Sequence, residues 1–208
     1  MSKKLAQKPA PQAKIKPATV RIIAGEYRRR LIGFVDAQGL RPTPDRVRET
    51  VFNWLNEALI NATVLDCCAG SGVLGFESLS RGARHVTLIE PNPMQVKQLH
   101  TTKQQLNIAP QQLTIVATTA QDAIDTLQGQ PAFDVVFIDP PYALNLWQTL
   151  LQQLLQAALI TTNTLIYIEA DLPHERILTN YWETLTPLKH KKMGQIYCAI
   201  YQFTELPL

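Results

Sequence analysis

The chain has 208 residues, 46% of them hydrophobic and 18% charged, a globular composition that excludes a disordered or fibrous protein. No apolar run approaches the roughly 20 residues needed to span a membrane, and the lysine-bearing start lacks the apolar stretch of a secretory signal, so a cytoplasmic location is expected. The net charge of +3 hides an imbalance, since residues 1–50 hold twelve Lys and Arg against four Asp and Glu while the remainder holds eight against thirteen. A basic segment on a mildly acidic body suits an anionic partner met by one side of the molecule. Cys67, Cys68 and Cys198 are odd in number and lie in apolar stretches, so they read as buried thiols. The four histidines show no metal-ligand spacing with them, and no metal is expected.

Residues 1–18 carry five lysines and three prolines with no acid, and are expected to be a disordered basic tail. A single domain is expected over 19–208, divided into an N-terminal hairpin (19–39) and a core (40–208). Thr19 to Phe34 reads as a β-hairpin turning at Gly25-Glu26, with Arg28, Arg29 and Arg30 on its return strand. Those arginines, with Arg21, Arg41, Arg46 and Arg48, suit phosphates of a nucleic acid; an arginine-rich edge that resists aggregation is the plainer reading. Thr43 is placed to cap a helix with Pro44 at its first position, and Val47, Val51, Trp54, Leu55, Ala58 and Leu59 give it one apolar stripe.

Thr63 to Cys68 is a short buried strand, followed by Gly70-Ser71-Gly72 and a helix over 76–81. His85 to Glu90 is a second strand, and Asn92 is placed to cap a helix over 93–107. Leu113 to Ala117 is a third strand, with a short helix after it near Asp122 and Ala123. Val135 to Ile138 is a continuous apolar run, as expected of a strand buried on both faces of a parallel sheet. An amphipathic helix over 145–159 and a fifth strand from Thr164 to Glu169 follow. Tyr181 to Leu185 and Gln195 to Phe203 alternate as a closing hairpin, with Lys189, His190, Lys191 and Lys192 between them. The fold class is therefore α/β, a mostly parallel sheet with an antiparallel edge.

Two loops carry the chemistry. Gly70 to Gly75 satisfies G-x-G-x-x-G, and Glu90 lies 20 residues after Gly70, where an acid on a ribose is expected. That alone fits a dinucleotide. Asp66, four residues before Gly70, argues against it, because a buried carboxylate there repels a pyrophosphate and welcomes an ammonium or sulfonium group. S-adenosylmethionine carries both cations and a ribose. Asp122 is placed to accept from an adenine amine; its plainer role is an acid favoured by the helix dipole. The second loop is Asp139-Pro140-Pro141-Tyr142. It sets a carboxylate and stiff, donor-free prolines beside an aromatic face, which suits a planar ligand bearing an amine.

With these motifs the sequence resembles class I S-adenosylmethionine-dependent methyltransferases with an Asp/Asn-Pro-Pro-Tyr/Phe motif, and more narrowly the bacterial 16S rRNA guanine-N2 methyltransferase family. The carriers are Arg21-Ile22-Ile23-Ala24-Gly25, Leu40 to Thr43 with Asp45 to Leu55, Leu65 to Gly72, Asp139 to Tyr142 and Gly194-Gln195. The stretch from Arg41-Pro42-Thr43 to Asn53-Trp54-Leu55 is the most specific of them. One departure is Asp122, where some members carry Asn. The resemblance implies a Rossmann-like sheet of seven strands with the last antiparallel, and donor and base meeting at its carboxyl edge. It also implies methylation of the N2 amine of one guanine in 16S rRNA.

On this reading Asp66, Gly70, Ser71, Gly72, Glu90, Asp122 and Ala123 hold the donor. Asp139 and the Pro140 carbonyl grip the amine, Tyr142 and Pro141 face the base, and Arg21, Arg28 to Arg30, Arg41, Arg46, Lys191 and Lys192 hold RNA. A paired amine is out of reach, so the base must be unstacked. The expected partner is 16S rRNA within a partly assembled small subunit, met by a monomer. A DNA amino-methyltransferase, a dinucleotide-dependent oxidoreductase and a non-catalytic RNA-binding protein are the alternatives.

Overall fold

Seven strands form the central sheet in the order β5-β4-β3-β6-β7-β9-β8, and a separate two-stranded hairpin, β1 with β2, lies outside it. The structure is a computed structural model describing residues 17–35 and 43–207. Most of the expected basic tail, and Arg41, lie outside the described residues. In chain order the elements are β1 (Pro17–Arg21), β2 (Leu31–Val35), α1 (Asp45–Leu55), β3 (Thr63–Asp66), α2 (Val73–Ser80), β4 (His85–Ile89), α3 (Pro93–Gln105), β5 (Leu113–Val116), α4 (Ala120–Leu127), β6 (Val135–Ile138), α5 (Trp147–Gln156), β7 (Leu165–Ala170), α6 (His174–Ile177), β8 (Leu185–Met193) and β9 (Ile196–Phe203).

Strands β3 to β7 are mutually parallel, and β9 runs antiparallel to both β7 and β8. Helices cover both faces of the parallel part, which is why β6 is apolar throughout. One core packs α1, α2, α3 and the hairpin against Val64, Val135, Phe137 and Tyr167. The other packs α4, α5 and α6 against Leu65, Val136, Ile138 and Ile168. Side chains alternate along a strand, so Asp66, Asp139 and Glu169, each two residues beyond Val64, Phe137 and Tyr167 of the first core, turn toward its face at the carboxyl edge. Among the described residues no helix is long and apolar enough to cross a membrane.

Three expectations need correction. Arg28, Arg29 and Arg30 sit in the connection, and the return strand begins only at Leu31. The connection is pinned to α2: buried Glu77 accepts from the amides of Ile23 (2.7 Å) and Ala24 (3.1 Å), and the Glu26 amide donates to the Ser80 carbonyl at 2.8 Å. Gly25 makes this possible, with φ +80° and a hypothetical Cβ only 1.7 Å from that carbonyl oxygen. Second, Thr43 does not cap α1. Pro44 occupies the cap position, the helix stops at Leu55, and Ala58 is exposed in a 3₁₀ turn. Third, Lys189 to Lys192 are not a loop. They belong to edge strand β8, whose residues from Thr186 to Lys192 are exposed, and cationic side chains suit an unpaired edge.

Candidate active site

The loop after β3 and the loop after β6 open on the same edge. Asp66 pairs in register with Phe137, and the Cys67 amide donates to the Phe137 carbonyl at 3.1 Å, so Asp139 lies just beyond. Asp66 is 1% exposed, and among the described residues neither carboxylate oxygen has a hydrogen-bond partner. Burial pushes its pKa from 3.8 up to about 7; the nearby Cys68 and Gly75 amides ease the shift, and Glu90 adds to it. Glu90, buried at the end of β4, accepts from the Gly70 amide at 2.9 Å and the Asn92 amide at 2.8 Å. Burial raises its pKa too, against those two amides.

The glycines have structural duties of their own. Gly72 ends the loop at φ +75°, and a Cβ there would stand 2.5 Å from the Leu99 side chain and 2.7 Å from Phe76. A Cβ on Gly75 would meet Leu88 at 2.3 Å, so this glycine lets α2 pack on β4. Ser71 is buried, with its hydroxyl accepting from the Val73 amide at 3.4 Å.

Asp139 is half-buried, and the Thr43 hydroxyl donates to its Oδ2 at 3.4 Å. Burial, then Glu169, then Asp66 hold its pKa well above the usual carboxylate range. Glu169, at the end of β7, is the member that the sequence reading missed. It accepts from the Tyr142 hydroxyl at 3.0 Å and the Tyr167 hydroxyl at 2.6 Å. Burial raises its pKa, against those two hydroxyls. Pro140 is buried, Pro141 exposed and Tyr142 half-buried, its ring 6.0 Å from that of Trp147.

The remaining candidates are spread more widely. Asp122 is exposed and accepts from Thr119 at 2.8 Å and Thr118 at 3.4 Å, while Ala123 is buried in the second core. Arg46 is exposed, and Arg21 makes a 3.4 Å contact with Asp45. Arg48 is fully buried, 2.6 Å from Asp45, with its guanidinium also donating to the Thr43 carbonyl at 3.1 Å, so it braces the start of α1 and is not exposed to phosphates. Lys191 and Lys192 are exposed near the tip of the β8–β9 hairpin, and Lys192 donates to the Tyr197 hydroxyl at 2.7 Å. Since β8 runs parallel to β7, that tip lies at the same edge as Asp139.

Arg28 to Arg30 lie elsewhere. Arg30 donates to the carbonyl of Gln105, the last residue of α3, at 2.7 Å. Helix α3 has 13 residues and starts at the carboxyl edge, so this cluster is roughly 20 Å from the two loops. A cleft of about 420 Å³ lined by Thr63, Arg84, His85 and Asp134 also lies at the amino edge and holds none of the site's carboxylates.

The model of the family described as conserved hypothetical protein 95 matches residues 20–202. Ribosomal RNA small subunit methyltransferase D of Haemophilus influenzae is 40% identical over 183 residues, covering 88% of this chain and 93% of that protein. The chain belongs to this methyltransferase family. The solved structure of Escherichia coli yhhF superposes with a TM-score of 0.75 at 33% identity, covering 90% of this chain and 99% of that one. A more distant chain, solved complexed with SAH, superposes with a TM-score of 0.68 at 13% identity over 95% of this chain and 58% of its own, which shows the shared fold alone.

Thr43 and Glu169 are the two contacts of this edge that sequence reasoning did not place. Thr43 was legible only as a helix cap. Glu169 was legible as the acid ending a strand, the same signal that marks Asp66, Glu90 and Asp139.

Proposed function

We propose that this chain methylates the exocyclic N2 amine of a guanine in 16S rRNA, using S-adenosylmethionine. The observation that carries the reading is Asp66, a buried carboxylate without a hydrogen-bond partner among the described residues, on the edge where Asp139 ends the neighbouring strand. An orphaned anion of this kind is costly unless a cation meets it, and the amino group of S-adenosylmethionine is such a cation. Glu90 has lone pairs left after its two amide contacts, and these suit the ribose hydroxyls. Gly70, Ser71 and Gly72 bring the loop backbone close to the donor, with Asp122 and Ala123 toward its adenine. When bound, the donor supplies an electrophilic methyl carbon.

The protein's own part is to prepare the amine. Guanine N2 is a weak nucleophile because its lone pair is delocalised into the ring. Asp139 and the Pro140 carbonyl accept its two N–H bonds, which draws the nitrogen toward tetrahedral geometry and turns the lone pair toward the methyl group. Tyr142 stacks on the base beside Pro141. The surplus proton leaves after transfer, so no strong base is needed. Lys191, Lys192 and Arg46 hold phosphates near the target, Arg21 extends that basic surface, and Arg41 serves the RNA as well. Arg28, Arg29 and Arg30 contact a separate stretch of the RNA, since they lie at the other edge. The substrate is the rRNA of a partly assembled small subunit, and the enzyme acts as a monomer.

The test is transfer of tritium from labelled S-adenosylmethionine to small-subunit particles from a strain lacking this protein, with mapping of the modified base. Label on one guanine N2 is expected. Label in DNA alone, or on another atom of the RNA, overturns the assignment.

A further inference from the structure

Glu169 has no part in the reading above, yet it holds Tyr142 from two directions. Its carboxylate accepts the Tyr142 hydroxyl directly, at 3.0 Å. Its backbone carbonyl accepts the indole N–H of Trp147 at 2.8 Å, and the Trp147 ring stands 6.0 Å from the Tyr142 ring at an interplanar angle of 34°. The second carboxylate oxygen is tied to Tyr167 at 2.6 Å, and Tyr167 is itself wedged edge-on against Phe137 of β6. Glu169 is 3% exposed, so these contacts do not compete with water. The clamp runs from the middle of the sheet to the one aromatic side chain of the Asp139 loop.

We propose that Glu169 is a positioning residue, fixing the plane that Tyr142 presents to the target base. The inference rests on the methyl-transfer reading, because a fixed ring matters only if a flat substrate is held against it. A base misaligned by an ångström loses much of the benefit of being bound. A second consequence distinguishes this role from that of a buried strut. Ile138 pairs in register with Ile168, so Asp139 and Glu169 end adjacent strands side by side. The hydroxyls of Tyr167, Tyr142 and Thr43 ease ionisation of Glu169, whereas among the described residues Asp139 has a single hydrogen bond, at 3.4 Å to Thr43. Negative charge on Glu169 opposes ionisation of Asp139, behind burial as the larger cause. Removing that charge lets Asp139 ionise at lower pH.

The experiment compares wild type, Glu169→Gln, Tyr142→Phe and the double variant. It follows methyl transfer to small-subunit particles across pH, with S-adenosylmethionine affinity measured by calorimetry. Each single variant should lower kcat about tenfold or more while donor affinity stays within about twofold. The double variant should be no slower than the slower single, because both act through one contact. The acid limb of the Glu169→Gln profile should move to lower pH. Multiplying effects, or an acid limb that does not move, overturn the role. If wild type transfers no methyl group, the methylation reading falls and this role falls with it. If wild type is active and Glu169→Gln matches it in rate and pH profile, the role of Glu169 alone is overturned. Should Glu169→Gln fail to fold, Tyr142→Phe decides by itself: kcat must fall at unchanged donor affinity, and a wild-type kcat refutes the clamp.

Discussion

Asp66→Asn should make the ligand-free protein more resistant to unfolding at alkaline pH while destroying its affinity for the donor. The folded protein holds the Asp66 proton up to about pH 7, whereas the ordinary value is 3.8. Across that window the folded state binds the proton and the unfolded state has lost it, so stability falls as pH rises. Some three pKa units at roughly 1.4 kcal/mol each give a penalty of about 4 kcal/mol, complete above about pH 7. Of this, about 2.5 kcal/mol develops between pH 5 and pH 8. The amide keeps the shape without the charge, and leaves polar atoms without partners at a cost of about 1–3 kcal/mol that does not vary with pH.

The comparison is between variant and wild type at each pH, because Glu90, Asp139 and Glu169 titrate in both; loss of the Asp66 charge also eases ionisation of Asp139, which moves the difference in the same direction. Urea unfolding should show the difference moving by about 2.5 kcal/mol in the variant's favour from pH 5 to pH 8. Calorimetry should show S-adenosylmethionine affinity falling about a hundredfold as its ammonium loses the counter-charge. If the two proteins lose or gain stability in parallel with pH, Asp66 is not the strained acid described here.

Asp139→Ala should abolish methyl transfer while leaving donor affinity within about twofold, as read by label incorporation and calorimetry. Glu77→Ala should cost about 3–5 kcal/mol in urea unfolding, since buried Glu77 holds the Ile23 and Ala24 amides and lies 2.8 Å from the Arg81 guanidinium. Charge reversal at Lys191 and Lys192 should weaken RNA binding in a filter assay. It should also flatten the salt dependence by about 0.7 per lost phosphate contact on single-stranded RNA. Native Cys67 and Cys198 should resist alkylation at neutral pH, because burial pushes the first thiol up and holds the second at about 12. Rapid labelling before unfolding would contradict that burial.

The elements that sequence made legible are those whose signals are local. The apolar run of β6, the Asn92 cap of α3 (accepting from the Met94 amide at 2.9 Å) and the glycine turn after β3 each announce themselves within a few residues. What was misread depends on contacts distant in sequence. The fate of Arg28 to Arg30 was decided by Glu77 and Ser80, more than fifty residues from the residues they hold. Thr43 stands one residue before the cap position, and its hydroxyl reaches Asp139, 96 residues away. Lys189 to Lys192 read as a loop because charge on both faces erases the alternation of a strand, and only pairing with β9 restores it. Glu169 was visible as an acid, but its grip on Tyr142 needed the register of two neighbouring strands.

The placement of β9 between β7 and β8 has a consequence for synthesis. Strand β8 leaves the ribosome first, yet among the described residues its only sheet partner is the strand that follows it. Until Ile196 to Phe203 have emerged, the nine residues of β8 have no sheet to join, and the flank of β7 that pairs Glu169 with Cys198 stays bare. The edge that carries Asp139 and Glu169 is thus finished only once β9 is made, so a nascent chain still missing that strand lacks the wall against which its acids are arranged.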